Sequence, residues 1–187
     1  IKLGAGADLK LSHDGSNSYI EDAGTGNLRI LASETVLLNA AGDENMLKAT
    51  ADGAVELYFN NAKKFETTNL GVTINGTAIV PTDTDTSNSG NITLNFADFH
   101  NFVLTLTGNI VLVNPTTEQV GQSGMIVLIQ DGTGSRTLAV GDQYFGPGGA
   151  VPTISTAANS IDIIPYIVIA AGKIALGQAQ LAFADAS

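Results

Sequence analysis

The feature that most constrains this chain is a period-two alternation of apolar and polar residues in short runs, each closed within a few residues by glycine, asparagine or aspartate. Leu9 and Leu11 alternate with Asp8, Lys10 and Ser12. Val55, Leu57 and Phe59 alternate with Glu56, Tyr58 and Asn60, and Leu70, Val72 and Ile74 with Gly71 and Thr73. Successive side chains of a strand point to opposite faces, so this pattern specifies half-covered β-strands. No sustained i, i+3, i+4, i+7 apolar pattern competes with it. The breaks are "HDGSN" from His13, "GTGN" from Gly24, "AGDEN" from Ala41 and "ADG" from Ala51, all rich in residues that form Asx turns or tolerate positive φ.

A weak internal repeat lies in the first half. "DLKLSHDGSNSYIEDAGTGNLRI" from Asp8 overlays "AVELYFNNAKKFETTNLGVTI" from Ala54. Leu9 and Leu11 fall on Val55 and Leu57, Asp14 on Asn60, Ile20 on Phe65, Glu21 on Glu66, and Leu28 and Ile30 on Val72 and Ile74. Repeats of this size suggest a linear object whose single unit cannot bury its own apolar face. Isolated two-stranded hairpins of such length are marginal in water. Three copies around one axis would place Leu9, Leu11, Leu57, Phe59 and Ile74 in a shared core and pair the exposed edges.

Residues 1–80 therefore read as a repetitive β shaft. The polar stretch "VPTDTDTSNSGN" from Val80 breaks the composition, and 81–90 reads as a linker or neck. Residues 91–187 are more apolar. Strands are expected near 91–96, 102–107, 109–114, 124–130, 136–140, 161–169, 172–177 and 180–184, with "TLTGNIVL" and "IVIAAGKIAL" as hairpins turning at glycine. Many short strands argue for a compact β-sandwich-like or barrel-like carboxy-terminal tip domain. The expected fold class is all-β, an elongated trimeric shaft followed by that tip.

Composition narrows the function. Eight basic residues against eighteen acidic ones give a net charge of −10, which repels phosphate and argues against a nucleic-acid partner. No apolar run is long enough to span a bilayer as a helix, so no membrane insertion is expected. Charged residues make up only 14% of the chain, against roughly 25% in ordinary domains, consistent with surface buried between copies. With no cysteine, disulfides and thiolate metal sites are excluded. The chain opens on Ile1, so it reads as part of a longer polypeptide.

Catalytic signatures are missing. His13 sits in a turn beside Asp14, and His100 lies among Phe96, Phe99 and Phe102, where a packed or capping role is expected. No His-x-His pair or other workable ligand spacing exists. "GQSG" lacks the nucleophile-elbow pattern, and "GAGADL" and "GTGSR" lack the remaining residues of a phosphate loop. "DTDTSNSG" from Asp83 lacks the glycine and the terminal acid of a calcium loop. Asp98, Glu118, Asp131, Asp142 and Asp162 carry no local signature that would pair them for glycoside hydrolysis. No enzyme activity, cofactor or metal is expected. Loops on a rigid β scaffold are where binding concentrates, and Tyr and Arg are frequent contact residues. "QDGTGSR" and "DQYFGPGG" thus make Arg136, Tyr144 and Phe145 candidates for receptor contact. The competing reading has Tyr144 and Phe145 plugging a domain or subunit interface.

The strings "HDGSNSYI", "GTGNL" and "ELYFNN-KKFETT-GV" resemble repeated units of tail-fibre proteins from marine tailed bacteriophages. "LTLTGNIVLVNPTTEQVGQSGMIVLIQDGTGSRTL" and "NSIDIIPYIVIAAGKIAL" are similar to the carboxy-terminal regions of such fibres and other phage appendages. The resemblance implies a homotrimeric fibre on the virion surface. It would join other tail or baseplate proteins through a preceding segment and contact a host-surface glycan or protein. A polysaccharide-degrading tailspike and a capsid or neck decoration fibre are the alternatives.

Overall fold

The computed structural model describes residues 1–184 and is all-β, with no α-helix among them. It divides into two units, Ile1–Ala78 and Ile79–Ser187.

The first unit holds two antiparallel sheets. Strands β1 (Lys2–Leu3), β2 (Leu9–His13) and β3 (Ser18–Asp22) form one. The other is a meander of β4 (Glu34–Leu38), β5 (Asn45–Thr50), β6 (Val55–Phe59), β7 (Ala62–Thr68) and β8 (Gly71–Ile74). The internal repeat has a direct counterpart. Leu11 faces Ile20 across β2–β3, and Leu57 faces Phe65 across β6–β7, the same matched positions in the same register. The repeat fails at its third strand. Ile74 pairs with Phe65 on β8, but its counterpart segment 27–32 is not a strand, and Leu28 and Ile30 are exposed.

Turn chemistry explains both hairpins. The Asp14 carboxylate accepts the backbone N–H groups of Ser16 and Asn17 and the hydroxyl of Tyr19. In β6–β7 the turn instead uses Asn60 and Asn61, both at positive φ, as tight hairpins require.

The second unit is one sheet of eight strands. These are β9 (Thr82–Ile92), β10 (Asn101–Leu112), β11 (Ser123–Gln130), β12 (Leu138–Val140), β13 (Tyr144–Phe145), β14 (Ile161–Ala170), β15 (Lys173–Leu176) and β16 (Gln180–Phe183). Its main path runs β12-β10-β11-β14-β15-β13. The two outer strands, β12 and β13, are separated by only Gly141–Gln143. Gly141 N–H donates to Leu112 of β10, and Ile174 N–H of β15 donates to Gln143. The ends of the path are therefore held near each other, and the sheet curls around its core in a barrel-like form.

Two expectations are corrected here. The stretch 81–90, read as a linker for its polarity, is mostly strand β9, paired in parallel along β10. Its Thr and Ser side chains and Asp85 are exposed and Asp83 is half-buried, while Asn88 turns inward and donates to the carbonyls of Asp85 and Thr105. "TLTGNIVL" is not a hairpin. It lies within β10, and the register with β9 slips between Leu106 and Ile110, so Gly108 marks a bulge. At that bulge β10 exchanges one neighbour for another: Phe102–Leu106 pair with β11, and Ile110–Leu112 pair with β12. The β14–β15 hairpin does form, with Gly172 at positive φ in its turn. Finally, β9, β11 and β12 all run parallel to β10, an arrangement that alternation alone does not specify.

Pro165 sits within β14 without breaking the sheet. Its carbonyl accepts from Gly177, so its missing N–H would point to the same side. That side is the gap between β16, which pairs with β14 at Ile161 and Ile163, and β15, whose pairing with β14 starts at Tyr166.

Even-numbered residues of β10, β11, β14 and β15 fill the barrel. Phe102, Leu104, Leu106, Ile110, Leu112, Ile126, Leu128, Ile164, Tyr166, Val168, Ile174 and Leu176 are buried, and Leu94 and Phe96 from the β9–β10 connection enter beside them. Phe96 meets Phe102 at 5.1 Å and Tyr166 edge-on at 5.3 Å between ring centroids. Every buried apolar side chain among the described residues lies between Leu94 and Leu176. The first unit contributes none.

Candidate functional site

The barrel interior ends at two buried polar groups, Gln130 and Asp162, which organise the loops around them. Gln130 donates through Nε2 to the carbonyls of Arg136 and Ser155 and accepts the Arg136 N–H. Asp162 accepts the N–H and hydroxyl of Ser155 and the N–H of Ala182. Buried polar groups are costly unless satisfied, so these two residues pin the 131–137 and 153–160 loops to the barrel. Ser135 N–H to Thr156 and Asn159 N–H to Asp131 tie the loops to each other. A Cβ on Gly134 would come within 2.7 Å of Thr156 and Ala158 backbone atoms, so this approach depends on the glycine.

Arg136 projects from this cluster. Its Nη2 donates to Asp131 Oδ2 at 2.8 Å, and hydrogen bonding to the guanidinium holds the Asp131 carboxyl below its ordinary range. Arg136 also lines a groove of about 270 Å³ with Leu138, Val151, Pro152 and Ile154. Val151, Pro152 and Thr153 line a second groove as well, with Pro147, Gln178 and Leu181.

The three candidate contact residues separate. Phe145 is 44% exposed on β13, and Arg136 is half-buried. Tyr144 is corrected: it is only 6% exposed, packed in the core opposite Ile174, and out of reach of a receptor. The cause is strand alternation, which turns one of two adjacent aromatics inward. Burial, and then the charge of Glu118, push its hydroxyl above its ordinary pKa. His100 is also corrected. Its side chain is exposed, and its backbone is what counts: N–H to Pro81 and carbonyl to the Tyr166 hydroxyl at 2.7 Å. Gln122, which sequence reasoning passed over, donates through Nε2 to the carbonyls of Phe96 and Phe99 and so holds the β9–β10 connection.

The proposed shared-core residues of the first unit lie at its surface. Leu11, Leu57 and Ile74 are 40–49% exposed, Phe59 is 74% exposed and Leu9 is half-buried. No group of three or more His, Cys, Asp or Glu gathers to hold a metal among the described residues.

These features define a β-structured unit carrying a loop-borne groove, preceded by strands without a buried core. Residues 82–174, just under half of the chain and all within the second unit, match the family model described as "Putative phage tail fibre C-terminal domain". In this segment the chain is similar to the carboxy-terminal domains of phage tail fibres. No curated protein and no solved structure matches it.

Proposed function

We propose that this chain is a structural component of a bacteriophage virion, a tail fibre that assembles as a homotrimer and mediates attachment to the host cell. One observation carries the reading. The first 78 residues form eight strands yet bury no apolar side chain, while Leu37, Leu57, Phe59, Leu70 and Ile74 stand in solvent. A sheet gains its stability by covering one face, and burial is worth roughly 25 cal/mol per Å² of apolar surface. A single copy forgoes that gain, and neighbouring copies supply it. The family match over residues 82–174 supports the placement in a fibre.

In this reading Phe145 and Arg136 are the receptor-contact candidates, and the chain acts without enzyme activity, cofactor or nucleic acid. Its partners are two further copies, adjoining tail or baseplate proteins, and a host-surface glycan or protein. The net charge of −10 favours a neutral or protein receptor over an anionic one.

The test joins sedimentation of the purified chain with its binding to intact host cells. A trimer that binds cells and competes with virion adsorption is the expected result. A stable monomer removes the basis of the reading. A trimer that leaves adsorption unchanged indicates a decoration fibre, and released oligosaccharide indicates a tailspike.

A further inference from the structure

The outer face of β11 and β14 has no function in the fold as described. Its odd-numbered positions include Met125, Val127 and Ile129 on β11, and Ile163, Ile167 and Ile169 on β14. Val127 lies directly opposite Ile163, so the two rows form one continuous surface. Ile167 is 45% exposed, and Met125 and Ile169 are exposed to a similar degree. No outward position of either strand carries a charge; the remaining ones are Ser123, Ile161 and Pro165. The inward-facing Asp162 is the one charged residue on these two strands, and it is buried.

We infer that this face packs against the same unit of a second copy of the chain. The inference rests on the self-assembling reading above and locates the contact in the second unit. Two arguments select another copy as the occupant. The first is electrostatic. Two copies each carrying −10 repel across most of their surface, and they approach at least cost where both present uncharged, apolar area. The second is contiguity. Met125, Ile167 and Ile169 are 44–54% exposed on one uncharged face rather than scattered singly, the pattern that marks a protein–protein contact.

The absence of cysteine makes the test clean. Full-length Ile167→Cys is compared with Ala139→Cys, an exposed position on β12, by maleimide labelling of the sedimented native assembly and of the denatured chain. Labelling at position 167 should be at least tenfold slower than at 139 in the assembly and equal after denaturation. Equal rates in an intact assembly would overturn this inference and leave the trimer standing. A native protein that sediments as a monomer would take both down. As a second measurement, Ile167→Glu should lose assembly while Ala139→Glu retains it. If both glutamate variants assemble equally well, the face is not an interface.

Discussion

The hydroxyl of Tyr166 donates to the backbone carbonyl of His100 at 2.7 Å, joining β14 to the residue that precedes β10, 66 positions earlier in the chain. The ring below that hydroxyl packs on Phe96 and Phe102, so one side chain serves both the core and the barrel's rim. Burial raises the Tyr166 pKa to about 12, and the group stays a donor at all ordinary pH.

Tyr166→Phe should keep the ring packing and lose the bond. The expected cost is about 1–2 kcal/mol, because the His100 carbonyl loses its hydroxyl donor. Thermal unfolding of the wild type and variant, followed by circular dichroism, checks it.

Gly124→Ala should be far worse. A Cβ at position 124 would come within 1.9 Å of the His100 carbonyl oxygen, a backbone atom that cannot move without disturbing β10. The cost is expected to exceed ~2 kcal/mol, with the denaturation midpoint as the readout. Gly132→Ala, where a Cβ meets nothing within 4 Å, is the control.

Lys63 holds two like charges together. Glu56 and Glu66 face each other across β6–β7, and the Lys63 ammonium bonds to both carboxylates. These bonds, that to Glu66 first, raise the lysine pKa, and the bond from Lys63 lowers that of Glu56. The raised lysine contributes fully below its unfolded pKa of about 10.4 and loses that contribution as pH rises further. The lowered Glu56 contributes above about 4.3 and loses its share in more acid solution. Lys63→Met should therefore destabilise the first unit most between those limits and least in acid. Hydrogen exchange of β6 and β7 amides at pH 7 and pH 3 measures the contrast.

Asp14 governs the other hairpin. Backbone N–H bonds, that from Asn17 first, and the Tyr19 hydroxyl lower its carboxyl pKa to about 2. A depressed acid stabilises above its unfolded value of about 3.9, and that contribution falls away between there and about pH 2. Amide exchange at Ser16 and Asn17 should accelerate over that window, and Asp14→Ala should show the fast rate at pH 7.

Leu57→Asp tests the shared-core reading. In one copy the side chain is 43% exposed, so a surface residue of a monomer would tolerate the change. Three copies packing on it would not. Sedimentation should show the assembly dissociating while the second unit keeps its folded spectrum.

Strand alternation and turn chemistry made much of this molecule legible in the chain. The β-rich class, the matching hairpins at Leu11–Ile20 and Leu57–Phe65, and the Gly172 turn all follow from neighbours in sequence. The polar β9, the bulge at Gly108, the parallel pairing around β10 and the inward turn of Tyr144 do not. A strand's polarity reports only whether its side chains are covered, and its partner can lie anywhere along the chain. Pairing, register and the curvature of the sheet depend on which edges the core around Phe96, Phe102 and Tyr166 brings together.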